Sequence, residues 1–143
     1  MQWRPAVRSR VTVICVVLLA ACQQKSPEEK LVKDVGPAIS WAASLQFAAE
    51  KWLANSAPNA FVRASAEAGE KAFEKAKKSV AESKADSKLR SVIGAQIDAA
   101  NDAAGDLRDA VKRGDRRAGA RVIARFASAH EALEKIEKES GGE

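Results

Sequence analysis

The sequence predicts an all-α protein, an up-down-up-down antiparallel four-helix bundle, on three observations. Tyrosine is absent, aromatics are 5% of 143 residues, and alanine is the commonest residue beside 8 glycines and 4 prolines. Such a composition disfavours sandwiches and barrels and favours helix. Apolar residues recur at alternating spacings of three and four along four segments, which is the period of one buried helix face. The breaks between segments are a few residues long and each segment is roughly 23 to 28 residues, about 35 to 40 Å as helix. Short connections between helices of matched length imply antiparallel neighbours. A helical hairpin that completes its core by dimerising is the alternative architecture.

Before the first helix, residues 2–10 carry Arg4, Arg8 and Arg10 and no acid, and Val11–Leu18 is apolar apart from Thr12. This charge flank and short apolar run read as a secretory signal peptide. About 11 apolar residues span too little of a ~30 Å hydrocarbon layer to cross it. Leu19-Ala20-Ala21-Cys22 follows at once, and these four residues resemble the lipobox of bacterial lipoproteins. The resemblance covers the first 22 residues only. It implies cleavage before Cys22, diacylglycerol on the Cys22 thiol and acylation of the new amine, hence attachment to a membrane through lipid. Gln23 in place of an aspartate implies, by the same resemblance, the outer membrane and a periplasm-facing domain. The expected divisions are a signal peptide over 1–21, a lipidated tether over 22–25, the bundle over 26–139 and a disordered tail over 140–143.

The first helix is expected to start at Ser26-Pro27-Glu28-Glu29, an N-cap serine, a proline at the first helical position and a glutamate at the capping-box position. Its stripe is Leu31, Val35, Ala38, Ala42, Leu45, Ala49 and Trp52, and Gly36-Pro37 predicts a kink or short break. After a turn at Asn55–Ala57 and Pro58, the second stripe is Val62, Ala66, Gly69, Phe73, Ala76 and Val80. Gly69 costs about 1 kcal/mol relative to alanine, and a close neighbour such as Trp41 or Leu45 is the expected reason for it. Ser83–Ser87 breaks the pattern before the third stripe of Ile93, Ile97, Ala100, Ala104, Leu107 and Val111. Gly114-Asp115 combines a C-terminal glycine with an N-cap, and Val122, Phe126, Ala129, Leu133 and Ile136 form the fourth stripe.

Beyond the leader the chain keeps one cysteine, Cys22, and one histidine, His130, which leaves no disulfide scaffold and no Cys/His zinc site. Cations then number 21 against 19 acids, so no nucleic-acid footprint is expected. An exported bundle with a histidine on its last helix is similar to b-type cytochrome bundles, but no methionine remains as a second ligand. Ala127, three before His130, removes a Glu-x-x-His di-iron half-site. The ordinary reading of His130 is a core-boundary side chain paired with Asp98; the functional reading is a ligand in a small-ligand or haem-type carrier. No cofactor and no enzymatic activity are expected.

Charge is more informative: residues 108–125 hold seven cations against Asp109 and Asp115, whereas 131–143 hold five glutamates against Lys135 and Lys138. The fourth helix thus places cations at its N-terminus and anions at its C-terminus, against its macrodipole. The helix 1–2 and helix 3–4 turns share the end far from the tether, to which Lys51, Trp52, Phe61 and Arg63 also belong. Arg113, Arg116, Arg117 and Arg121 are therefore the candidate contacts, on a basic pole edged with aromatics, of an anionic partner, peptidoglycan or an acidic protein surface, and a solvated cap is the bland reading. Replacing Arg116, Arg117 and Arg121 together is expected to leave stability unchanged or slightly raised. Phe47, on a back face with Ala43 and Ala54, is a candidate contact for a partner or for a second copy in a homodimer.

Overall fold

The computed structural model describes residues 25–140, and the expected signal peptide, Cys22 and residues 141–143 lie outside them. Four helices fill this span, α1 (Pro27–Leu53), α2 (Asn59–Glu82), α3 (Ser87–Arg113) and α4 (Arg116–Ser140). Each packs on its neighbours in the ring α1-α2-α3-α4, with α4 closing against α1 and only a narrow diagonal contact between α1 and α3. Contacts at both ends fix the antiparallel sense. The Asp86 N–H in the α2–α3 turn donates to Glu28 Oε1 near the start of α1 at 3.2 Å. At the opposite end Arg116, the first residue of α4, reaches Asn55 of the α1–α2 turn.

The caps follow from the residues named above. Ser26 Oγ accepts from the Glu29 N–H at 3.1 Å, Asp86 accepts from the N–H groups of Lys88 and Leu89, and Asp115 Oδ1 accepts from the Ala118 N–H at 2.9 Å. Each satisfies donors that a helix start leaves without an internal partner. Of the kink or short break expected at Gly36-Pro37, the break is absent, and α1 runs through both residues as one helix. Proline removes the bond that Lys33 would accept, but Lys33 and Pro37 both face solvent, where water can take its place. At the other end α4 continues through Ser140, one residue past the expected boundary.

The core is the four stripes. Every stripe position is buried except Val80 and Ile136, which are half-buried near helix ends and packed against the rest. Phe73, Phe126, Leu31, Leu45, Ile93, Ile97, Leu107 and Leu133 are its largest fully buried side chains, and no polar side chain among the described residues is buried with them. Much of the remaining lining is alanine, which lets the helices approach closely and contributes less per residue than leucine. Gly69 faces Leu45, as one of the two expected neighbours: a methyl group there would lie 2.5 Å from Leu45 Cδ1. Gly119 makes the same kind of approach to the Trp52 ring, a contact that the periodicity did not point to.

Ion pairs between helices, among the described residues, lie on two faces. Lys77 pairs with Asp98 at 3.1 Å and Arg108 with Glu70 at 2.6 Å across α2 and α3, and Arg125 pairs with Asp106 across α3 and α4. The α1–α2 face shows no such pair among the described residues and carries exposed aromatics instead.

Candidate functional site: a basic pole and an aromatic groove

Both tight turns lie at the end of the bundle remote from the start of α1, and both end their helices in the same way. Asn55, at φ 57°, and Gly114, at φ 67°, are left-handed residues. The Ser56 N–H bonds the Lys51 carbonyl at 2.8 Å and the Asn55 N–H bonds Trp52, while Asp115 bonds Ala110 and Gly114 bonds Val111. These are paired Schellman closures, for which asparagine and glycine are the favoured residues. Ala54 caps Glu50, which leaves the Leu53 carbonyl as the last open acceptor of α1. Arg116 fills it.

The Arg116 guanidinium donates to the Leu53 carbonyl and to Asn55 Oδ1, and stacks 5.6 Å from the Trp52 ring centre. Trp52 is buried, and its Nε1 donates to Asn59 Oδ1 at 2.8 Å. Arg116, Trp52, Asn55, Asn59 and Gly119 thus form one latch joining α1, α2 and α4. The sequence-based expectation that Arg116 is dispensable for stability is therefore corrected. Its partners are a carbonyl, an amide and a ring rather than a carboxylate, and they lie some sixty positions away in sequence, so no local pattern could indicate them.

The other cations of the run divide cleanly. Arg108 and Arg125 are held by carboxylates of neighbouring helices. Lys112, Arg113, Arg117 and Arg121 are exposed, with no carboxylate partner among the described residues. α2 starts at this pole behind Pro58 with no side-chain cap and no acid in its first turn, so its dipole adds to the positive potential.

Beside the pole, Phe47 of α1 and Phe61 of α2 are each 59% exposed. A groove of about 570 Å³ runs between the two helices, lined by Trp41, Ala43, Phe47, Ala48 and Phe61 with two serines. Lys51 Nζ stands 5.0 Å above the Phe47 ring, a cation–π contact that leaves the ammonium at the groove's rim. Ala43, expected on an open back face, is half-buried in this groove. Phe47 is exposed, as its place off the stripe implied. Phe61, expected at the edge of the basic pole, and Trp41 complete the patch, and a register folded about Ala54 sets Phe47 opposite Phe61. A contiguous aromatic patch on an otherwise charged surface is a candidate contact site.

His130 is half-buried on α4, and Asp98, its expected partner, is taken by Lys77 of α2. Asp98, first through a hydrogen bond and then through its charge, raises the Lys77 pKa above the usual lysine value, with Glu74 adding to it. Glu134, one turn after His130, is held below the ordinary carboxylate range, chiefly by the Lys138 ammonium 3.1 Å away and only weakly by His130. Among the described residues no three histidine, cysteine or acidic side chains converge to hold a metal ion, and no helix is long and apolar enough to cross a membrane. No family model matches the chain, and no match was found among curated proteins or solved structures.

Proposed function

We propose that the chain is a lipid-anchored protein of the bacterial cell envelope, held through Cys22 to the outer membrane and facing the periplasm, whose bundle is a non-enzymatic interaction module. The observation that carries this reading is the pole itself. Lys112, Arg113, Arg117 and Arg121 stand free of carboxylates at the end of the bundle opposite the start of α1. With 27 residues in α1, that end lies about 40 Å from the tether, where it is presented away from the membrane to an anionic partner.

Cross-linking in intact cells tests this. A photoreactive residue at position 117 is expected to capture a partner in a salt-sensitive way, because counter-charges at the surface are screened beyond about 10 Å at 0.1 M salt. The same residue at exposed Lys84, at the opposite pole, should not capture it. Equal capture from both positions, or none from 117, would sink the proposal. Haem-type carriage through His130 is the competing reading, and haem added to purified protein is expected to keep the broad Soret band of free haem, neither sharpened nor shifted.

A further inference from the structure

We infer that the aromatic groove and the basic pole form one docking surface, and that its occupant is an acidic peptide segment of a partner protein carrying bulky apolar side chains. This rests on the interaction-module reading and names the partner's chemistry. The two features are continuous. The α1–α2 groove passes, by way of Phe47, Ala48 and Phe61, into a second recess of about 430 Å³ that reaches Lys51, Ala57 and Pro58. Ala57 and Pro58 also border a third recess, lined by Asn55, Asn59, Gly114 and Arg116. A trough therefore leads from exposed phenylalanines, past one ammonium, over the α1–α2 turn to Gly114 and Arg116, which exposed Arg113 and Arg117 flank in sequence.

Each part of the trough selects for a different group. Phe47 and Phe61, with Trp41 between the helices, take apolar side chains, whose transfer from water drives binding. The exposed cations at the other end take carboxylates, so opposite charge there steers encounter and fixes direction. A second copy of this chain is disfavoured, because two such poles would bring Lys51, Arg113 and Arg117 against their own like charges. A glycan strand offers carboxylates but little to fill an aromatic groove.

The test is a phage-displayed random peptide library selected on the purified full chain, followed by fluorescence anisotropy of the enriched peptides against three proteins. These are the wild type, a groove variant with Phe47→Ser and Phe61→Ser, and a pole variant with Arg113→Glu and Arg117→Glu. All five residues of the Arg116 latch stay intact, and circular dichroism checks that both variants fold. Enrichment of aspartate or glutamate together with phenylalanine, tryptophan or leucine is expected, with affinity falling tenfold or more in each variant. Added salt should weaken wild-type binding and affect the pole variant much less. Basic or uncharged enriched peptides, no enrichment, or equal binding by the groove variant would overturn the inference. So would binding only to peptidoglycan sacculi or anionic vesicles, or a dimer lost on Phe47→Ser. Cross-linking from position 117 that persists unchanged in the groove variant would overturn this inference and leave the interaction-module reading standing. Loss of capture from that position in the wild type would sink both.

Discussion

Gly119 occupies a helical position where alanine would gain about 1 kcal/mol in intrinsic propensity, yet a methyl group there would overlap the Trp52 ring. The ring cannot step aside cheaply, because Asn59 holds its N–H and Arg116 lies over its face. Gly119→Ala is therefore expected to destabilise by about 1 kcal/mol or more, since overpacking typically costs 1–3. At Gly69 the neighbour is the end of the Leu45 side chain, which can rotate, so Gly69→Ala should cost less; urea midpoints of the two variants give the order. Arg116→Gln should lower stability by about 1 kcal/mol through loss of charge-assisted hydrogen bonds. Arg117→Gln and Arg121→Gln should leave the melting temperature level or slightly raised, because cations at a helix N-terminus oppose its dipole. Equal drops for all three arginines would show that the latch is not centred on Arg116.

At the level of the helix, the stripes make a sharper statement. Ile97→Asp and Leu133→Asp place a carboxylate where both parent side chains are fully buried, at a cost of several kcal/mol against a total near 5 to 15. Both variants should be unfolded by circular dichroism. Ala43→Asp, half-buried in an open groove, should melt cooperatively close to wild type. The α2–α3 face gives a pH signature. The folded pKa of Lys77 is raised, so its contribution is complete below the unfolded lysine pKa of about 10.4 and is lost as pH rises through the folded value. The melting-temperature gap between wild type and Lys77→Met should accordingly stay flat from about pH 6 to 9 and close above the lysine range. A gap that closed in the neutral range would mean another group is responsible. These helices were legible because burial repeats along each one: Leu31 to Trp52 and Ile93 to Val111 lie in the core as their spacing required. Register around the ring has no such period. For that reason the Gly119–Trp52 approach and the reach of Arg116 to Leu53 were not legible in the sequence.

For the molecule as a whole, polarity is the dominant feature: one end holds the start of α1 and the α2–α3 turn, the other holds both Schellman turns and the free cations. Cys22→Ser is expected to move the protein from the detergent phase to the aqueous phase on partitioning while the bundle folds unchanged, because Cys22 precedes the first cap and belongs to no stripe. Equal partitioning of mutant and wild type would remove the lipid anchor from the proposal. The closure of α4 against α1 has a further consequence for how the chain can be cut. Ser140 ends its helix at the same end as Lys25 precedes its own, so a linker of a few residues from 140 to 25 spans neighbouring helix ends without crossing the core. A circular permutant opened at exposed Lys84, outside every helix and far from the Arg116 latch, should keep the order of the ring and fold to the same bundle, with its new termini displayed where the original chain made its second turn.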